Sequence, residues 1–191
     1  MTTRKYFFAL AFVVAGCADP EAIRRLEADI ESVNERITQA QEERKAYGKG
    51  SVVHDLISLR IAVHQQTLAM LEQRSAAERW RTTITYSVDG KPYAAPADAV
   101  AKMAALQARL KNAREGRESD LQLMKGSADS VRSLHVMSVA TKSITISQLE
   151  YQLAALANGF PPYYVPFPAP AKGTTPPQII EVPAGQSAIV Q

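Results

Sequence analysis

Few side chains in this sequence have the types and spacing that catalysis or metal binding requires. The histidines are His54, His64 and His135, and no two of them have the His-x-x-x-His spacing that places two ligands on one helix face. The sequence also lacks a Gly-x-Ser-x-Gly nucleophile elbow and a Ser-x-x-Lys motif. We therefore predict no catalytic residue, no metal site and no catalysis.

One histidine interrupts an apolar pattern. His64 lies in the aliphatic seam of the second predicted helix, where a polar residue more often sets the register of helix packing than binds a ligand. His135 and Tyr151, on the fourth predicted helix, approach His64 only if the two halves of the chain pack together. These three residues are the candidate polar core, and a small-ligand site would require a polar cavity around them.

The single cysteine, Cys17, ends a segment with the layout of a secretory signal. Arg4 and Lys5 give it a positive start, residues 6–14 are all apolar, and residues 15–16 are small. The apolar run is too short for a transmembrane helix, which needs about 20 residues. A thiol at this position is suited to carry lipid, because two or more acyl chains anchor a protein stably to a membrane.

The four residues Val14-Ala15-Gly16-Cys17 resemble the lipobox of bacterial lipoproteins. The resemblance implies cleavage between Gly16 and Cys17 and a diacylglycerol thioether on Cys17, usually with an acylated amine. Ala18 stands where an aspartate retains many Gram-negative lipoproteins in the inner membrane. We therefore expect an outer-membrane anchor facing the periplasm, with the inner membrane less favoured and ordinary secretion as the other interpretation. The covalent lipid is the only cofactor expected.

Cleavage before Cys17 also changes the charge of the chain. Removing the first 16 of 191 residues leaves 175, enough for one domain, and removes two of the 22 basic residues. The remaining 20 basic residues face 19 acidic ones, so the mature chain is nearly neutral. Since no basic stripe interleaved with aromatic residues is present, we predict no nucleic-acid binding.

Apolar residues at heptad spacing predict long helices in most of the mature chain. The first helix begins at Asp19-Pro20, and its seam consists of Ile23, Leu26, Ile30, Val33, Ile37 and Ala40. The second runs from Ser51 to about Trp80, and its seam consists of Ile57, Ile61, His64, Leu68 and Leu71. A third helix starts near Pro96, with Gly116 as a candidate kink, and a fourth covers about 128–158.

We therefore predict an all-α fold of two long antiparallel helical hairpins, arranged as one four-helix bundle or as a coiled-coil pair. The predicted segments are a signal peptide (1–16), a first hairpin (17–81), a short β-hairpin or extended crossover (82–95), a second hairpin (96–159) and a disordered proline-rich tail (160–191). The crossover is predicted from alternating apolar residues before Asp89-Gly90, a pair typical of hairpin turns.

The two predicted hairpins also resemble each other. A shift of 78 positions places Ala62 on Ala140, Thr67 on Thr145 and Leu71 on Leu149. The shift indicates either a duplicated hairpin, whose second and fourth helices use corresponding faces, or chance similarity between helices of simple composition.

The tail from residue 160 holds eight of the eleven prolines, mixed with aromatic residues. This composition favours an extended backbone. Either its aromatic side chains fold back on the helices, or residues 160–182 are a docking peptide for a partner.

Together these features favour a membrane-anchored cell-envelope lipoprotein with a structural, scaffold or adaptor role through helical packing. One alternative is an accessory subunit of an envelope export or efflux assembly, and another is a helical bundle that binds a small ligand. The expected partners are the lipid bilayer, through acylated Cys17, and an envelope protein, through the helices or residues 160–182.

Overall fold

A computed structural model describes residues 19–88 and 91–162 of the chain. Most of these residues are helical: α1 is Pro20–Lys45, α2 is Val52–Trp80, α3 is Ala99–Gly126 and α4 is Asp129–Ala157. None of these helices is long and apolar enough to cross a membrane. The predicted signal with Gly16 and Cys17, and residues 163–191 of the predicted tail, lie outside the described residues.

The first two helices begin where their capping residues predict. The Asp19 side chain accepts a hydrogen bond of 2.9 Å from the Glu21 N–H, with Pro20 as the first helical residue. The Ser51 side chain accepts one of 3.2 Å from the His54 N–H. Between the helices, Gly50 has a φ of +82°, which a residue with a Cβ rarely adopts. The tight connection therefore depends on glycine at this position.

The predicted seams of α1 and α2 form most of the hydrophobic core. Their buried members are Leu26, Val33, Ile37, Ala40, Ile57, Ile61, His64 and Leu71, while Ile23, Ile30 and Leu68 are half-buried. Met70 of α2 and Ala155 of α4 complete the core with 0% exposure. Heptad spacing therefore identified the inward faces of α1 and α2 correctly.

The end of α4 turns the chain back onto this core. Gly159 has a φ of +73°, and the Phe160 N–H donates to the Ala155 carbonyl at 2.8 Å while the Gly159 N–H donates to the Leu156 carbonyl at 3.3 Å. This pattern is a Schellman motif. It places Phe160, which we expected to begin the tail, at 0% exposure with its ring centroid 4.5 Å from that of Tyr86.

The four helices pack against each other in a definite order. α1 packs against α2, α2 against α4, and α4 against α3. α1 and α3, both described along their whole length, make no backbone contact with each other. Consequently α2 and α4 lie in the middle, and a groove remains between α1 and α3.

The crossover contains a very small antiparallel pair. β1 (Ser87–Val88) pairs with β2 (Lys91–Pro92), with Ser87 opposite Pro92 and Val88 opposite Lys91. The predicted alternation holds for Ile84 and Tyr86, which are half-buried while Thr85 is exposed, but not for Val88, which is 44% exposed. Asp89 and Gly90, the predicted turn, lie outside the described residues.

α3 continues through Gly116 to Gly126, so this glycine does not end the helix. One expectation about the second half of the chain is wrong. The duplication hypothesis fails because α2 and α4 bury mostly different positions. Thr67 is buried and Thr145 is exposed, while Ala62 is exposed and Ala140 is buried, although Leu71 and Leu149 are both buried. α2 and α4 thus bury largely different faces.

Candidate functional site

A polar cleft of about 190 Å³ lies where α1 and α3 flank the contact between α2 and α4. All four helices contribute to it. Its lining consists of Arg36, Gln39 and Glu43 from α1, Arg60 and His64 from α2, Arg117 from α3, and Ser143, Ile146 and Ser147 from α4. The cleft exists because α1 and α3 do not meet.

His64 lies at the inner wall of this cleft. Its Nε2 atom is 3.2 Å from the Ser147 Oγ atom, and the Ser147 hydroxyl donates to the Ser143 carbonyl at 3.0 Å. Since a serine hydroxyl has one proton to donate, Nε2–H of His64 is then the donor to Ser147. This hydrogen bond joins α2 to α4 in the interior, as expected of a polar residue that sets packing register.

Burial is the main influence on the charge of His64. Desolvation lowers the pKa of His64 below the ordinary 6.5, Glu150 opposes this shift, and the positive charges of Arg60 and Arg36 reinforce it. The imidazole is therefore neutral at neutral pH. Its role is that of a hydrogen-bond donor between two helices.

Two carboxylates position the arginines around the cleft. Glu150 of α4 accepts from Arg36 of α1 and from Arg114 of α3, each at 2.7 Å, and so links the two helices that flank the groove. Glu43 of α1 accepts from Arg60 of α2 at 2.5 Å. The Arg60 side chain is 11% exposed and the Glu43 side chain is 41% exposed, so solvent screens this pair only in part.

Arg117 differs from the other arginines of the cleft. Its Nε atom donates to the Ser143 Oγ atom at 3.0 Å, while the Ser143 hydroxyl donates to the Val139 carbonyl at 2.7 Å. Among the described residues, no carboxylate lies within 4.0 Å of its guanidinium. Arg117 is therefore oriented by a serine and retains an uncompensated positive charge.

The structure does not assemble the predicted polar core as a unit. His64 and Tyr151 are both buried, and Tyr151 lies one helical turn after Ser147 within the hydrophobic cluster. His135 is twelve residues before Ser147 on α4, which corresponds to about 18 Å along the helix axis. It lies on the part of α4 near Asp120, away from the cleft.

Sequence reasoning missed the arginines and serines of the cleft. A signal was present for Arg60, which falls at helical spacing between Ile57 and His64 on the buried face of α2. Ser143 and Ser147 likewise interrupt the buried face of α4 four residues apart. For Arg117 no local signal exists, because its position depends on how α3 packs against α4.

Comparison of the chain with protein-family models, with curated proteins and with solved structures finds no match. Within residues 19–88 and 91–162, no group of three or more histidine, cysteine or acidic side chains is placed to hold a metal ion.

Proposed function

We propose that this protein is a lipid-anchored helical protein of the cell envelope, facing the periplasm, with a scaffold or adaptor role and no catalytic activity. The observation that carries the proposal is the position of the Asp19 cap. The N-cap Asp19 of α1 lies two residues after the Cys17 of the lipobox-like segment, so we expect a lipid on Cys17 to be coupled closely to the helix rather than through a long tether.

We further propose that the helices form two antiparallel hairpins joined along α2 and α4. For the first hairpin, Arg79 pairs with Glu27 at 2.6 Å and Arg60 pairs with Glu43, so the end of α2 lies beside the start of α1. For the second, Lys142 pairs with Asp120 at 2.7 Å and Glu150 with Arg114. In both pairs of helices, residues later in one helix contact residues earlier in the other, which is the order that antiparallel helices produce.

This arrangement gives the molecule two distinct ends. Since the segments after α2 and α4 meet through Tyr86 and Phe160, the ends of both helices lie near the start of α1 and hence near the anchor. The connection between α3 and α4 then lies at the opposite end, about 39 Å away along α1. That end carries exposed apolar side chains, including Val131 and Leu134, which are 45% and 66% exposed.

An adaptor requires such a surface, because exposed apolar side chains are what a protein partner covers. The proposal therefore assigns membrane attachment to Cys17 and partner contact to the opposite end of the helices. The helices between them keep the two ends apart.

Metabolic labelling with a fatty-acid analogue in a bacterial host tests the anchor. The wild-type protein is expected to incorporate label and fractionate with membranes, whereas Cys17→Ser should lose both properties. The matched control is Ala18→Ser, which introduces a serine at the neighbouring position and leaves the Cys17 thiol in place. It should be labelled like wild type. Label retained in the Cys17→Ser protein would contradict the proposal.

Site-specific photocrosslinking tests the adaptor role separately. A crosslinking residue at position 134 should yield an adduct with one envelope protein, and the same residue at the exposed position 29 of α1 should not. Introducing Val131→Glu next to the crosslinker should abolish the adduct. Equal adducts at both positions, or none at position 134, would count against partner contact at this end.

A further inference from the structure

We infer that the cleft between α1 and α3 binds a phosphate group, carried by a small molecule or a lipid headgroup. The inference goes beyond the scaffold role and does not depend on the lipid anchor. It rests on three arginine side chains, from three different helices, that line one small cleft.

The charges of the cleft do not balance. Arg36, Arg60 and Arg117 supply three positive charges, and Glu43 is the one carboxylate among the described side chains that line it. Adding the adjacent Glu150 and Arg114 leaves the excess at two positive charges. An anion with two negative charges, such as a phosphate monoester, would neutralise this excess.

The three guanidinium groups come from three different helices. Each has a planar set of N–H donors that matches the oxygen geometry of phosphate, and charged pairs of this kind are stronger when desolvated. Contacts to Glu150, Glu43 and Ser143 hold Arg36, Arg60 and Arg117 in place. The donors are therefore positioned before a ligand arrives, which reduces the entropic cost of binding.

The cleft also has suitable size. Its volume of about 190 Å³ compares with roughly 10–15 Å³ needed on the same scale for one water molecule. Several waters, or one phosphate group with part of the molecule that carries it, therefore fit. Gln39 and Ser147 add neutral polar groups to the wall.

His64 provides an internal reporter for occupancy. The charged groups acting on it are Glu150, Arg60 and Arg36, and the Ser147 hydroxyl contacts its ring. A phosphate in the cleft adds negative charge, which favours the protonated imidazole and so raises the pKa of His64. Binding should therefore shift the NMR titration of the His64 ring to higher pH.

The experiment is calorimetric and NMR titration of the full-length chain, in non-ionic detergent, with inorganic phosphate. Saturable binding is expected, and Arg117→Gln should weaken it about 10-fold to 100-fold, the usual effect of losing a hydrogen bond to a charged group. Arg117→Gln should fold normally because it breaks no ion pair. Arg109→Gln removes the same charge from an exposed position on α3 and should bind like wild type.

A second variant acts in the opposite direction. Glu43→Gln removes the negative charge from the lining, while the amide carbonyl can still accept a hydrogen bond from Arg60, so phosphate should bind several-fold more tightly. Absence of saturable binding to the wild type, equal losses in Arg117→Gln and Arg109→Gln, or weaker binding by Glu43→Gln would each overturn the inference.

One further measurement distinguishes a lipid headgroup from a free phosphate compound. Another distinguishes failure of the anchor proposal from failure of the phosphate proposal. Vesicles of phosphatidylglycerol that compete with inorganic phosphate for the wild type, but bind Arg117→Gln weakly, would identify a lipid headgroup, whereas vesicles that do not compete would identify a free phosphate compound. Cys17→Ser should bind phosphate like wild type. If Cys17→Ser keeps its lipid label but Arg117→Gln loses phosphate binding, the anchor proposal fails and the phosphate site stands.

Discussion

Two regions of the molecule are built from helices of similar length but pack very differently. The core region consists of α1, α2 and residues 140–162, where Ala40, Met70, Ala155 and Phe160 are completely buried. The distal region consists of α3 and residues 129–139. Of the 28 residues of α3, all of them described, Leu110 is the one that is buried.

Several contacts between α3 and α4 are polar. Asp120 of α3 accepts hydrogen bonds from Lys142 and Ser138 of α4, and the Lys142 ammonium also donates to the Gly116 carbonyl at 3.0 Å. Polar contacts near the surface contribute far less to folding than burial of large apolar side chains. Helix length and burial are therefore separate here: α3 is nearly as long as α2, but only one of its residues is buried against ten in α2, so we expect most of the folding free energy to come from the core region.

The largest expected effect is at the buried end of the core region. Phe160→Ala should lower the free energy of unfolding by about 3–5 kcal/mol, because it removes a fully buried aromatic ring and leaves a cavity beside Tyr86. Trp80→Ala is the control, since Trp80 also lies at a helix end but is 75% exposed, and should change stability by less than about 1 kcal/mol. Urea denaturation followed by circular dichroism measures both, and equal losses would contradict the assignment of Phe160 to the core.

The next prediction compares the two regions with one substitution. Leu71→Ala, at 2% exposure in α2, should cost about 2–5 kcal/mol, whereas Leu134→Ala, at 66% exposure in the distal region, should cost less than about 0.5 kcal/mol. The chemical change is the same, so the difference reports burial alone. A large loss from Leu134→Ala would show that the distal region is covered in solution.

Features that depend on neighbouring residues were predictable from the sequence. Asp19 and Ser51 mark helix starts because their side chains bond to backbone N–H groups two or three residues later. The seams of α1 and α2 follow from spacing alone, because a helix has one apolar face to bury. Gly159 ends α4 for the same local reason, since it has no Cβ to oppose a positive φ.

Features that depend on which helices touch were not predictable. The order that places α2 against α4 decides that Arg60 and Ser147 share a cleft while His135 stays apart. The apparent 78-residue repeat compared residue types but contained no information on rotation about the helix axis, so it matched an exposed Ala62 with a buried Ala140. The Schellman motif after α4, rather than the composition of the tail, decides that Phe160 is buried.

A smaller effect should increase stability in the distal region. Gly116→Ala should raise the free energy of unfolding by about 1 kcal/mol, because alanine favours the helix and the nearest neighbour of its Cβ would be the flexible Lys142 side chain, with Nζ at 3.5 Å. Gly50→Ala is the opposite control, since its φ of +82° strains any residue with a Cβ and should lower stability by a similar amount. A loss of stability in Gly116→Ala would show that α3 packs more closely on α4 than described.

The smallest expected effect tests whether polar contacts hold the distal region. Hydrogen bonds from Lys142 and Ser138 lower the pKa of Asp120 below the ordinary 3.8. Because the folded pKa is depressed, the stability from this carboxylate is present above pH 3.8 and is lost as the pH falls through the folded pKa. Lys142→Met should therefore cost about 0.5 kcal/mol near neutral pH, and the difference from wild type should shrink in acid.

Hydrogen exchange measured along the same pH series locates that loss. Lys142→Met should speed amide exchange in α3 at neutral pH while α2 stays protected, since local opening follows the weakest contacts. Lys111→Met is the matched control, because Lys111 is 76% exposed and lies 3.9 Å from its partner Glu115. If α2 and α3 opened together in every variant, the two regions would form one cooperative unit, and the polar contacts between α3 and α4 would be as strong as the apolar core.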